Sequence, residues 1–278
     1  MRLVHRRGGW VDRDPRSPFS RRALWTPPHH RLEGLALPVE LALAGPFDLL
    51  HSPDFIVPYA WRGASVATVH DLAFLRRPEL LTGQSRRYYG AVHTSVARAD
   101  AVIAVSEHTR RELLALTAVD PAIVHVVPNA VPPRFFAPGD RERDAAVLRR
   151  LSIEPPFVLF VGTIEPRKNV GVLLRALRRL RDQGGEGRDA HLVLAGADGW
   201  HSAPIYAEAR ALGLAAHDEA RDRAGAGGSG FDSRRDASAA SAPAAFLGRV
   251  SDDDLLALYR TAAVLAHPAL DEGFGLTP

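Results

Sequence analysis

The sequence predicts an α/β protein whose parallel sheets are built from β-α-β units and shared between two domains. From about residue 47 onward, short apolar and β-branched runs alternate with longer amphipathic ones, as expected of strands covered by crossover helices. A chain of 278 residues with 46% hydrophobic content is long enough to bury two cores of ordinary size. Between the halves lies PNAVPPRFFAPGDRERDAAVLRRLSIEPP, residues 128–156, rich in proline and charge, which reads as a linker. The first domain is accordingly taken as residues 1–140 and the second as 141–278.

Each element has its own justification. Residues 1–45 show only weak periodicity and are poorly determined. In the first domain FDLLHS, ASVATVH, AVIAVS and IVHVV are short β-branched runs that read as strands, while SRRYYGAVHTSVARA and SEHTRRELLALT carry helical spacing. In the second, FVLFVG, HLVLAG, AAFLG and AVLAHP read as strands, and NVGVLLRALRRLRDQ, APIYAEARALGL and SDDDLLALYRTA as helices. Residues 217–243, rich in Gly, Ala, Ser and charge, read as a disordered insertion.

Composition removes several function classes. No run of about 18 apolar residues is present, and the charged amino end has no apolar stretch behind it, so neither a membrane span nor a secretory signal is expected. Without cysteine there is no disulfide, thiolate metal site or cysteine nucleophile, which fits a reducing cytoplasm. The net charge is +3, and Lys168 is the only lysine among 35 basic residues. The arginines are scattered as pairs among acids instead of gathered with aromatics, which argues against nucleic acid as a partner. No GxGxxG follows a strand, no GxxxxGK[ST] occurs, and the twelve histidines show no HExxH spacing. Dinucleotide, P-loop and zinc chemistry all lose support.

Two loops carry the chemical signal. In FVLFVGTIEPRKNVGVLLRALRRL the strand ends at Gly162, and Asn169 can cap a helix whose apolar face is Val170, Leu173, Leu174, Leu177 and Leu180. Arg167 and Lys168 then crowd the positive end of the helix dipole, at a cost of roughly a few tenths of a kcal/mol each. A bound phosphate or pyrophosphate would resolve that conflict; so would side chains that reach solvent or pair with Glu165. HPALDEGFGLTP follows the strand AVLAHP, at the carboxyl edge where open α/β sheets bind ligands. There Gly273 and Gly275 permit close backbone approach and Glu272 can accept from hydroxyls, although an ordinary loop would look the same. Thr277 and Pro278 resemble the start of a helix. His70 and Asp71 stand where a first-domain strand ends, and Ser106 is placed as an N-cap; His70 could meet a substrate hydroxyl or simply bond to backbone. SDDDLL resembles an acidic metal cluster, but Ser251 capping a helix, Asp254 closing a capping box, and Asp252 and Asp253 complementing the dipole account for it.

In order along the chain, VHDLAFL, AVSEHTRREL, VVPNAV, FVGTIEPRKN, LVLAG and FLGRVSDDDLLALYRTAAVLAHPALDEGFGLTP resemble the retaining glycosyltransferases of family four, over roughly residues 47–278. The resemblance implies the GT-B architecture, two Rossmann-like domains whose parallel sheets face a cleft. The nearest flavour is that of mannosyl- and rhamnosyltransferases of polysaccharide assembly. It implies that Lys168 and Arg167 bind the donor diphosphate and stabilise its growing charge without a metal or other cofactor. It further implies that Glu272 and His70 contact the transferred sugar, with Gly162, Gly273, Phe274 and Gly275 completing the donor site. The expected activity is transfer of a hexose such as mannose from a nucleotide-diphosphate sugar, with retention, to a glycan or lipid-linked acceptor. The expected location is the cytoplasm, with peripheral contact at the inner membrane face left open. The family's second glutamate would fall beyond Pro278, so both domains are expected to be incomplete and the chain a fragment with little turnover. A nucleotide-sugar epimerase of the same architecture and a non-catalytic remnant are the alternatives.

Overall fold

The computed structural model describes residues 2–6, 20–26, 33–80, 83–215 and 242–276. Most of the insertion expected at 217–243, and the helix start expected at Thr277 and Pro278, lie outside the described residues. The chain divides into two compact units, Met1–Asn129 and Ala130–Pro278.

In the first unit, β1 (Arg2–Arg6) and β2 (Ser20–Leu24) form a separate parallel pair, followed by α1 (Glu33–Ala44). Periodicity is weak there because α1 is apolar nearly all round and carries Pro38; Leu41 and Ala44 are buried while Val39 and Leu43 are exposed. A four-stranded parallel sheet comes next: β3 (Leu49–Ser52), β4 (Ala64–Val69), β5 (Ala101–Ala104) and β6 (Val124–Val126), each beside its sequence neighbour. Ala67, Thr68 and Val69 are all buried, the mark of a strand covered on both faces. Its helices are α2 (Ala73–Arg76), α3 (Gly83–Gly90), α4 (Val92–Val96) and α5 (Glu107–Leu116). The single helix expected over SRRYYGAVHTSVARA is thus interrupted at Ala91, just after Gly90, a poor helix former. Phe55, Val69, Val92, Val96, Val102 and Leu113 form the core.

The second unit places four strands in the order β10-β7-β8-β9, all parallel: β7 (Val158–Val161), β8 (Leu192–Ala195), β9 (Ala244–Gly248) and β10 (Val264–Leu265). Alternate residues serve opposite faces. Phe160 and Leu194 pack with Val170 and Leu174 of α7 (Val170–Gln183) and Ile205 and Ala209 of α8 (Ala203–Ala211). Leu159 and Val193 pack with Leu148 and Leu151 of α6 (Arg141–Leu151) and Leu258 of α9 (Asp252–Thr261). Leu173 is partly buried against the first of these clusters, whereas Leu180, expected on the same face, stays exposed.

The stretch 128–156 is not a simple linker, because α6 lies inside it. Asp140 Oδ1 accepts from the amides of Glu142 and Arg143 at 3.0 and 3.1 Å, giving the helix an N-cap. Phe135 meets Tyr259 edge-on at 6.4 Å, so residues 130–140 go with the second unit. Buried Asp144 accepts from Arg260 Nε and Nη2 at 2.8 and 2.6 Å, and those bonds hold its carboxyl below the ordinary range. The acidic run of α9 completes the seam. Ser251 Oγ caps the Asp254 amide at 3.2 Å, and Asp252, Asp253 and Asp254 pair with Arg134, Arg143 and Arg150 respectively. Each aspartate therefore has an arginine counter-ion within this unit.

Candidate functional site

The strand order of the second unit dictates where a site can form. From β7 the chain winds outward through β8 to β9, then returns to place β10 on the other side of β7. The direction of winding reverses between β7 and β10, so the carboxyl ends of these two strands form the switch point at which open α/β sheets bind ligands. Both loops singled out in the sequence emerge here.

The first loop is built by close backbone approach. Gly162 has φ +152°, and a side chain on it would press on the Phe160 ring. Its amide donates to the Ala195 carbonyl at 3.0 Å. A Cβ on Gly196 would lie 1.8 Å from the Gly162 carbonyl oxygen, a distance no side chain can occupy, so only glycine fits. The Ile164 amide bonds to the Ala197 carbonyl at 2.9 Å and the Gly199 amide to the Ile164 carbonyl at 3.1 Å. The loop is thereby fastened beside the one following β8. Pro166–Lys168 then form a single 3₁₀ turn.

Asn169 does not cap α7 with its side chain. It is left-handed, φ 55° and ψ 35°, a conformation asparagine tolerates better than most residues. Its Nδ2 donates to the Pro268 carbonyl at 3.2 Å. Arg167 and Lys168 therefore sit before a reversal of the chain and not within the first turn of α7. The dipole conflict expected from the sequence does not arise in that form.

What retains the two cations is carboxylate. Glu165 is buried, with Oε1 3.1 Å from Arg167 Nη2, and Arg167 Nη1 donates to the Asp271 carbonyl at 3.2 Å. Lys168 Nζ pairs with Glu272 Oε1, and Arg167 Nη1 lies 3.7 Å from Glu272 Oε2. The Leu270 amide donates to the Arg167 carbonyl at 3.0 Å, so backbone bonds join the two loops as well. The side chains of Arg167 and Lys168 are only 19% and 12% exposed. Glu165, Arg167, Lys168 and Glu272 together carry no net charge: an entering anion has to compete with Glu272 for the ammonium, while a hydroxyl can donate to the same carboxylate.

Of the other residues expected in the site, Gly273 is buried in the second loop, Gly275 has φ +76°, and Phe274 is exposed. His70 belongs to the first unit, where its Nε2 bonds to the Pro53 carbonyl at 2.8 Å. A carbonyl only accepts, so Nε2 carries the proton and Nδ1 is the nitrogen able to accept. Asp71 Oδ1 accepts from the Ala73 amide at 3.2 Å, and Ser106 Oγ caps α5 through the Thr109 amide at 3.0 Å. The structure thus brings Gly162, Arg167, Lys168, Glu272 and Gly273 together at one sheet edge. It shows Arg167 paired with Glu165, the alternative partner named from the sequence, and adds Gly196, Gly199 and His267, which sequence reasoning did not place there. For the two glycines a signal existed: they follow directly on the strand LVLA in the run GADG.

The model of Glycosyltransferase Family 4 matches residues 3–135, and that of Glycosyl transferases group 1 matches residues 146–219. A D-inositol 3-phosphate glycosyltransferase of Mycolicibacterium gilvum is 31% identical over 245 residues, covering 84% of this chain and 48% of the relative. The protein of the same description from Salinispora tropica is 31% identical over 251 residues, covering 84% and 47%. The chain therefore spans about half the length of these curated relatives. Among solved structures, WaaG, a glycosyltransferase involved in lipopolysaccharide biosynthesis, superposes with a TM-score of 0.68 at 16% identity, over 99% of this chain and 68% of that one. Anabaena HepE in complex with UDP and glucose gives 0.63 at 18% identity, over 93% and 63%. Two α/β units with wholly parallel sheets, a charged switch point in the second, and consecutive matches to the two halves of one kind of enzyme lead to a single assignment: the chain belongs to the family 4 glycosyltransferases, of GT-B fold.

Proposed function

We propose that the protein transfers a hexose from a nucleotide-diphosphate sugar, with retention of configuration, and that the switch point of its second unit is the donor site. The observation that carries this reading is the joining of Arg167, Lys168 and Glu272 across the loops after β7 and β10. Lys168 and Arg167 would take the diphosphate and stabilise the charge that accumulates on it as the bond to the sugar breaks. Glu272 would accept from a sugar hydroxyl, with Gly273, Phe274 and Gly275 offering backbone beside it. His70 would accept a substrate hydrogen bond at Nδ1, since Nε2 is committed to Pro53. The acceptor is proposed to be a glycan or lipid-linked saccharide met in the cytoplasm or at the inner membrane face. No described helix is long and apolar enough to cross a membrane. The relatives named above are transferases, which leaves the epimerase alternative without support.

Calorimetric titration of the chain with UDP, GDP, UDP-glucose and GDP-mannose tests the donor site. One nucleotide pair should bind, and Lys168→Met should weaken it by about tenfold or more, the worth of a charge-assisted bond to phosphate. Affinity unchanged in Lys168→Met would remove this lysine from the site. Incubating the protein with the bound donor and candidate acceptors, then determining the anomeric configuration of any product, tests transfer itself.

A further inference from the structure

His267 stands two residues beyond β10, with both ring nitrogens buried and without a hydrogen bond among the described residues. Native proteins rarely leave such groups without a reason. Its Nε2 lies 3.4 Å from Glu272 Oε1, the same oxygen that Lys168 holds. One carboxylate oxygen therefore has two suitors, and only the ammonium is bonded to it. The two suitors differ in freedom. The segment carrying His267 and Glu272 is tied down at Ala266, whose amide donates to the Leu159 carbonyl at 2.8 Å, and at Pro268, Leu270 and Asp271 by Asn169 and Arg167. Lys168 ends in a flexible four-carbon stem, and its head can turn toward a ligand while the loop stays in place.

We propose that His267 is a positioning residue for Glu272, taking over Oε1 when Lys168 turns to a ligand's phosphate. This rests on reading the switch point as a diphosphate site. Without a replacement donor, Glu272 would face the incoming phosphate with Arg167 Nη1, 3.7 Å away, as its remaining neighbouring cation. With Nε2–H donating to Oε1, the carboxylate stays anchored and Oε2 remains aimed for a hydroxyl of the donor sugar. The neutral ring suffices, because only Nε2 has to carry the proton.

Two measurements decide it. In the chain labelled with nitrogen-15 at histidine, Lys168→Met removes the competing ammonium without any ligand. The Nε2 proton of His267 should then become protected from exchange and shift downfield, as expected of a proton donated to carboxylate. An unchanged resonance overturns the proposal. In the second measurement the affinity gained from the sugar is read as the ratio of Kd for UDP to that for UDP-glucose, and likewise for GDP and GDP-mannose. His267→Phe should lower that ratio about tenfold, the scale of a hydrogen bond to a charged group, and should weaken the bare nucleotide as well, because its diphosphate also draws Lys168 away from Glu272. His267→Gln, whose amide reaches the Nε2 position, should restore the ratio to within about threefold. If His267→Phe does not fold, His267→Asn, too short to reach, takes its place. A ratio unchanged in the apolar or short variant refutes the role of His267. Should the wild-type chain bind neither nucleotide pair, the diphosphate reading fails, and the imidazole resonance alone decides whether His267 serves Glu272.

Discussion

Glu272 ought to oppose the binding of a bare nucleotide, although it lies in the proposed donor site. In the second unit it neutralises Lys168 directly and Arg167 Nη1 at 3.7 Å. Unit charges at that separation interact by about 4 kcal/mol at an effective dielectric near 20. The three side chains are between 12% and 24% exposed, and solvent compensates part of the loss when the pairs open. We take about a third of the interaction, roughly 1.4 kcal/mol, as what a diphosphate must overcome, which corresponds to about tenfold in Kd. Glu272→Gln removes that opposition and keeps an acceptor of the same shape. UDP or GDP alone should therefore bind the variant about tenfold more tightly. The nucleotide sugar should gain less, because the amide is a weaker acceptor for the sugar hydroxyl than the carboxylate. Calorimetry at low and physiological salt measures both, and the gain should shrink as salt screens the pair. If Glu272→Gln weakens UDP and GDP as Lys168→Met does, the carboxylate does not compete with the ligand and the self-neutralised description of the site is wrong.

Two further predictions concern what holds the site up. Gly196→Ala sets a Cβ against the Gly162 carbonyl oxygen, backbone against backbone, and should destabilise the second unit by about 3 kcal/mol or more; a denaturant midpoint within experimental error of wild type would refute the close approach. Asp144→Asn leaves Arg260 without its carboxylate and should cost about 2–3 kcal/mol at neutral pH. Because the folded-state pKa of Asp144 is lowered by its bonds to Arg260, its contribution is complete above the ordinary carboxylate range near pH 4 and is lost as pH falls through the depressed value. The stability gap between wild type and variant, read by chemical denaturation from pH 7 to pH 3, should therefore narrow on the acid side. A gap that widens with acid would contradict the pairing.

Much of the framework was legible because parallel strands announce themselves. VLFV, LVLA and VATV are apolar or β-branched without interruption, and each lies in a strand, since a strand covered on both faces has little polar side to show. The stretch 128–156 was misread for a physical reason. The charged residues of α6 are spent on ion pairs with α9, so RERDAAVLRRL reads as a solvent-exposed charged stretch, and the Asp140 cap is hidden among other acids. The β10-β7-β8-β9 order, which creates the switch point, is a long-range property with no local signature. His267 was passed over for the same reason: its proximity to Glu272 depends on how a loop folds back, not on spacing along the chain.

The position of Arg167 and Lys168 was anticipated, yet by an argument the structure replaces. The sequence sets them against a helix dipole and leaves a foreign anion, solvent or Glu165 open as the resolution. In the fold, the left-handed turn at Asn169 precedes the helix, and the anions are supplied by Glu165 and Glu272. This changes what a ligand has to do: an unpaired cationic site would bind any phosphate, whereas a self-neutralised one favours a ligand that gives each released group a new partner. A nucleotide-diphosphate sugar would do so under the proposed function, offering phosphate oxygens to Lys168 and Arg167 and a hydroxyl to Glu272. Inorganic pyrophosphate would satisfy only the cations and bring no hydroxyl to Glu272 Oε2. Selectivity for the intact donor over its phosphate fragment thus follows from charges already balanced before binding, and pyrophosphate should remain a weak competitor even at concentrations where nucleotide sugar saturates the site.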